Sequence, residues 1–129
     1  MGKLLRAFQF AFEGIGYALR TQRNMRIHLA VALMVVVVGA ALRLSATEWA
    51  ILALTIGLVM QAELLNTALE ALVDHVAPTF QPLAKVAKDC SAGAVLIVAL
   101  AAAAAGVCIF VPRLWALWQA GTRIYHPAP

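Results

Sequence analysis

Charge is scarce in this chain: 12% of its 129 residues are Asp, Glu, Lys or Arg, against 64% hydrophobic. So little polar cover excludes a small soluble domain, whose single core is too small to bury that much apolar side chain. The sequence has no GxxxxGK(S/T) run, no glycine-rich kinase loop and no strand pattern. Any nucleotide is therefore bound without the phosphate cradles of soluble enzymes. Cysteine is limited to Cys90 and Cys108, a pair that fits neither a zinc spacing nor a disulfide framework. Helical spacing sets them about five turns apart, which leaves both as small packing residues. Basic runs interleaved with aromatics are missing too, which excludes nucleic acid as a partner. The net charge of +4 reads instead as topology and contact with anionic lipid.

What the chain has is long apolar runs, at 27–44, at 49–62 and on through a polar motif, and at 93–112. Each approaches the roughly 20 residues that cross a bilayer. The expected architecture is all-α: an integral membrane protein of one domain, with membrane-spanning helices over 27–44, 48–76 and 88–112. A surface helix over 3–22 precedes them and a C-terminal tail over 113–129 follows. The first apolar run begins after residue 26, lacks a small-residue cleavage site and is long enough to span, so it is expected to stay as a helix rather than be removed. Lys3, Arg6, Arg20, Arg23, Arg26, Lys85 and Lys88 fall on one side of these spans, and Arg43, Arg113 and Arg123 on the other. The positive-inside rule then predicts a cytoplasmic N-terminus in a cytoplasmic membrane.

Leu4, Leu5, Phe8, Phe12, Ile15 and Leu19 recur at helical spacing among charged residues, the pattern of a helix lying on the membrane face. An ordinary helix packed on the bundle is the alternative. Between the first two spans, Ser45 or Thr47 is placed to cap the second, with Glu48 complementing its N-terminal dipole. Pro78 and Pro82 interrupt the inner connection, roughly 75–86. Ala99, Ala101 to Ala105 and Gly106 give the third span a face of small residues, suited either to subunit contact or to packing within one chain. Trp115, Trp118 and Tyr125 are expected to be interface anchors.

Glu63, Asn66, Glu70 and Asp74 stand at i, i+3, i+7 and i+11, which aligns them on one helix face. If the helix enters the membrane near Glu48, its rise of about 1.5 Å per residue carries Glu63 about 22 Å deep, near the far side of a hydrocarbon core about 30 Å thick. Carboxylates at that depth cost roughly 2.5–3.5 kcal/mol each on insertion scales, which points to chemistry or ligand binding. Hydrogen bonding between helices is the plainer explanation. As chemistry, Glu63 suits a general base by its depth, and Glu70, nearer water, a cation ligand. Lys88 and Asp89, at the same level before the third span, offer a phosphate-binding cation and a further polar contact.

Glu63-x-x-Asn66-Thr67-Ala68-x-Glu70-x-x-x-Asp74, followed by Ala87-Lys88-Asp89-x-x-Ala92-Gly93-Ala94-Val95-Leu96, resembles the signature of the prokaryotic diacylglycerol kinase and undecaprenol kinase family. Asn24-Met25-Arg26-Ile27-His28, Glu48-Trp49, Pro82-Leu83-Ala84 and Phe110-Val111-Pro112 are similar to its undecaprenol-type branch. The resemblance implies a homotrimer that transfers the γ-phosphoryl group of ATP, with Mg2+, to a lipid hydroxyl, undecaprenol first and diacylglycerol second. It implies Glu63 as the base, Asn66 as its orienting partner or the nucleotide's, Glu70 as a metal ligand, and Lys88 with Asp89 on ATP. By the same correspondence Lys3 and Phe10 of the surface helix touch the nucleotide. One position departs from the pattern. Two residues before Asn24 the family carries a glutamate that joins the Glu70 counterpart on the metal, and here Gln22 stands there. An amide oxygen ligates magnesium without adding negative charge, so the metal is held more weakly or mostly by the ATP phosphates. A non-catalytic member of the family is the alternative this departure raises. Glu13 lies nine residues earlier, some 13 Å along a helix, too far to substitute directly.

Overall fold

The computed structural model describes residues 2–125, of which 121–125 are described by backbone alone. It is all-helical: α1 (Gly2–Thr21), α2 (Arg23–Ala41), α3 (Ala46–Val76) and α4 (Pro82–Tyr125). Stretches of α2, α3 and α4 are long and apolar enough to cross a membrane. The central element is α3, which packs on α4 above all, on α2, and on the end of α1.

Each boundary has a local cause. A single extended residue, Gln22 (φ −100°, ψ 120°), separates α1 from α2. At the far end of α2, the amide of Leu44 donates to the Gly39 carbonyl and that of Arg43 to Ala40, each at 3.2 Å. That is a Schellman closure, and it holds Arg43 at φ 52°, the left-handed region that glycine or asparagine fills at lower cost. Gly39 packs closely there: a Cβ would lie 2.9 Å from Leu44 Cδ1 and 3.1 Å from Trp49 Cη2, so a larger residue would displace those side chains. Ser45 caps α3: its hydroxyl accepts from the Glu48 amide, and the Glu48 carboxylate accepts from the Ser45 amide at 2.7 Å, a reciprocal capping box. Pro78 disfavours helical geometry at Ala77, and α3 ends at Val76.

α4 differs from the expected third span at both ends. It begins at Pro82, because proline's fixed φ suits a first helical turn, so the inner connection is shorter than the 75–86 anticipated. It also runs through Pro112 to Tyr125, where a tail from 113 was expected. Neighbouring groups in a bundle commonly re-satisfy the backbone that a proline frees, and here the very next residue anchors the helix. Arg113 donates from Nε to Glu48 Oε1 at 2.9 Å, from Nη2 to Glu48 Oε2 at 2.5 Å and from Nη1 to the Leu42 carbonyl at 3.2 Å. One guanidinium thus ties α4 to the start of α3 and the end of α2. Beneath it Leu44, Leu52 and Ile109 form the buried core, with Val35, Leu42, Trp49 and Phe110 against them.

The first part of the apolar stripe of α1 is uncovered: Leu4, Leu5, Phe8 and Phe12 are 57–69% exposed, while Ile15 and Leu19 are half-buried and Ala18 is buried. The first turns thus leave an apolar side free for a membrane face, and the last turns pack on the bundle. On α4, Ala99, Ala102, Ala105 and Gly106 are half-buried, while Ala101, Ala103 and Ala104 are exposed. Cys90 and Cys108 are exposed, so neither packs inside the chain as anticipated. Trp115 and Trp118 are exposed with ring centroids 4.9 Å apart. The side chain of Tyr125, the third expected anchor, and that of Arg123 lie outside the described residues.

The Arg113–Glu48 clamp makes a coupled pair. Arg113→Gln and Glu48→Gln are each expected to lower the thermal midpoint in detergent, and the double variant to lose less than the sum of the two. Strict additivity would mean that the pair contributes nothing beyond its separate members.

Candidate functional site

Near the other end of the bundle the polar stripe of α3 faces inward. Glu63, Asn66 and Thr67 are 1%, 6% and 4% exposed. Thr67 is satisfied within its own helix, its hydroxyl donating to the Glu63 carbonyl at 2.8 Å. Asn66 Nδ2 donates to Glu70 Oε1 at 3.2 Å, and Gln22 Nε2, reaching across from the α1–α2 break, donates to Glu70 Oε2 at 3.3 Å. Gln22, which precedes α2, makes no side-chain cap to it. The residue that departs from the family pattern thus lies beside Glu70.

Two buried atoms break the rule that buried polar groups are paired. Glu63 Oε2 and Asn66 Oδ1 have no hydrogen-bond partner. Both residues line a cavity of about 300 Å³ whose other walls include Asn24 and His28 of α2, Glu70 of α3, and Val95 and Ala99 of α4. An apolar groove of about 270 Å³ adjoins it, sharing His28 and Ala99 as lining and running along Val31, Val35, Val59 and Gly106 to Phe110. A buried carboxylate therefore lines a cavity that adjoins an apolar groove across His28 and Ala99. That arrangement suits an amphipathic molecule, with its polar atoms at Glu63 and its chain along the spans.

The remaining candidates are distributed unequally. Lys88 Nζ donates to both carboxylate oxygens of Asp74, at 2.9 and 3.3 Å, which brings it to the outer end of the stripe. Asp89 instead pairs with Lys85 one turn earlier on α4 and takes no part in the stripe's hydrogen bonds. Lys3 and Phe10 are exposed on α1 and are not among the residues lining the cavity. Glu13, set aside as a substitute for the missing acid, accepts a hydrogen bond from Gln9 at 2.9 Å. Sequence reasoning quoted Asn24 and His28 without giving them a place in the site. Their signal was the i, i+3, i+4 spacing of Asn24, Ile27 and His28, which puts all three on one face of α2.

A family model described as prokaryotic diacylglycerol kinase matches residues 9–110. The chain belongs to that family of lipid kinases. It is 50% identical over 115 residues to a diacylglycerol kinase of Synechocystis sp., a match that covers 88% of this chain and 66% of that protein. It is 41% identical over 114 residues to an undecaprenol kinase of Bacillus subtilis, covering 88% of this chain and 93% of the relative. To the diacylglycerol kinase of Escherichia coli K12 it is 31% identical over 100 residues, covering 78% and 82%.

Among the described residues no group of three or more His, Cys, Asp or Glu side chains is placed to hold a metal ion. What the site offers is one carboxylate, Glu70, whose oxygens accept from the Gln22 and Asn66 amide nitrogens. A magnesium ion held there would use that carboxylate, with amide oxygens only after those side chains turn, and would take its other ligands from water and substrate phosphate.

Position of the Gln22 amide depends on the α1–α2 break, where Ala18 and Met25 are both fully buried. Met25→Ala is expected to cost about 2–5 kcal/mol, the range for emptying a buried methionine site, read as a fall in unfolding midpoint. An unchanged midpoint would mean that this junction is not packed as described.

Proposed function

We propose that the chain is an ATP-dependent kinase that transfers the γ-phosphoryl group to the hydroxyl of undecaprenol. It acts as a homotrimer in the cytoplasmic membrane, with its N-terminus and the polar stripe on the cytoplasmic side. The observation that carries this reading is the buried, unpartnered Glu63 oxygen in a cavity that adjoins an apolar groove. A long-chain alcohol is the acceptor that such an arrangement suits. The near full-length match to an undecaprenol kinase supports undecaprenol in particular. Diacylglycerol is the second reading, favoured by the higher identity to a diacylglycerol kinase.

In this mechanism Glu63 accepts the proton of the acceptor hydroxyl as its oxygen bonds to the γ-phosphorus. The bond from that phosphorus to the β–γ bridging oxygen breaks, and ADP leaves. Asn66 orients the base or the nucleotide. Lys88 offsets phosphate charge after exchanging its Asp74 contact for the nucleotide, and Asp89 with Lys3 and Phe10 completes the nucleotide's surroundings. Glu70 and Gln22 hold Mg2+, which when bound neutralises the phosphate oxygens. Little covalent work falls to the protein, and positioning with charge compensation accounts for the rate.

The test is transfer of labelled γ-phosphate from ATP to undecaprenol and, separately, to diacylglycerol in micelles across a magnesium titration. Preferential labelling of undecaprenol supports the proposal; preferential labelling of diacylglycerol replaces the substrate; labelling of neither favours a non-catalytic protein. In the same assay Glu63→Gln is expected to reduce turnover about 10²–10⁴-fold, the usual share of a general base, while the assembly persists. Undiminished transfer would remove Glu63 from that role. Gln22→Glu is expected to lower severalfold the magnesium concentration needed for half-maximal rate, since it adds the missing negative charge beside Glu70. An unchanged titration would exclude Gln22 from the metal site.

A further inference from the structure

At the end of the bundle away from the polar stripe, a second cavity of about 390 Å³ lies between the close of α2 and the stretch of α4 beyond Pro112. Its lining is Ala41, Leu42, Arg43, Arg113, Ala116 and Leu117. Two of those six are arginines, and the single carboxylate at hand, Glu48, is already engaged by Arg113. The cavity therefore carries net positive charge. Arg113 spends three N–H groups on Glu48 and the Leu42 carbonyl, which leaves two of the five on its guanidinium. Arg43 is exposed and makes no side-chain hydrogen bond or ion pair among the described residues. Guanidinium groups with free N–H donors beside a cavity are a reason to look for an anionic ligand.

The other four walls, Ala41, Leu42, Ala116 and Leu117, are apolar, and next to them Leu114, Trp115, Leu117 and Trp118 are 51–59% exposed. Paired tryptophans mark the head-group level of a bilayer. A ligand here meets guanidinium groups on one side and hydrocarbon on the other. We propose that the cavity between Arg43 and Arg113 binds the phosphate of an anionic phospholipid, with its acyl chains along Leu117 and the exposed face of α4. The site is separate from the phosphoryl-transfer site, since Trp49 and Glu70 on α3 are about 32 Å apart along the helix. It fixes the bundle's depth and rotation in the membrane at the end that the Arg113 clamp closes.

All three tryptophans of the chain, Trp49, Trp115 and Trp118, belong to this end, so their fluorescence reports lipid here and not at the basic residues of α1. The experiment reconstitutes the full chain in phosphatidylcholine vesicles doped, at equal mole fraction, with brominated phosphatidylglycerol or brominated phosphatidylcholine. Bromine quenches tryptophan at short range. The expected result is preferential quenching by the brominated phosphatidylglycerol, equivalent to about a fivefold local enrichment, as for one basic residue near a lipid surface. Arg43→Asn removes the charge while keeping a residue that tolerates the left-handed position, and is expected to abolish the preference. Arg43→Lys is expected to retain part of it. Equal quenching by the two lipids, or a preference that persists in Arg43→Asn, would overturn the proposal. Loss of the preference on adding inorganic phosphate at constant ionic strength would also overturn it, by assigning the site to a soluble anion.

Discussion

Hydrocarbon supplies no partner for a polar group, and three of the four acidic side chains of α3 are answered from elsewhere in the protein. At one end Glu48 receives the Ser45 amide and the Arg113 guanidinium, which draws in the end of α2 and the body of α4. Toward the other, Glu70 receives Gln22 from the α1–α2 break and Asp74 receives Lys88 from α4. α3 therefore carries acidic side chains along its length that are answered by Arg113 and Lys88 of α4 and by Gln22 at the α1–α2 break. The apolar core of Leu44, Leu52 and Ile109 lies below the first of these contacts and gives that end its rigidity.

Glu63 and Asn66 stand apart from this accounting. Thr67 on the same face is closed by its own helix, yet the two unpartnered oxygens remain open toward a cavity. A buried group left without a partner costs about 1–3 kcal/mol, more if charged. The fold carries that cost at one end while the other is closed by a bidentate ion pair and a packed core. Unequal distribution of this kind is what a site requires: fixed side chains whose remaining valence is directed at a ligand rather than at the protein.

Much of this was legible in the sequence, and the missing part has a common cause. Hydropathy located the three spans, helical period located the surface helix and the stripe of Glu63, Asn66 and Glu70, and local chemistry identified Ser45 and Glu48 as a cap. These depend on neighbours within a turn or two. Arg113 meets Glu48 across 65 residues and Gln22 meets Glu70 across 48, and such contacts depend on how each helix is rotated about its axis, which no window of sequence reports. Resemblance to a family brought Gln22 and Glu70 together beforehand; periodicity alone did not. The third span was expected to end at Pro112, whereas the helix persists there with Arg113 anchored immediately after it. His28 was passed over because a single histidine on an apolar face carries no signal until the opposite wall, Glu63 on α3, is in place.

Gln22 shows how one substitution redistributes these interactions. A glutamate at this point would face the Glu70 carboxylate, and two like charges at hydrogen-bonding distance repel unless a cation lies between them. The neutral amide donates instead, so the α1–α2 break is tethered to α3 without a metal. Within the kinase reading, magnesium then has one protein carboxylate, Glu70, and its remaining charge partners are the phosphates of the nucleotide that accompanies it. On that reading the amide holds Glu70 in place beforehand, and an ion bound there would depend on the nucleotide's phosphates for most of its charge compensation.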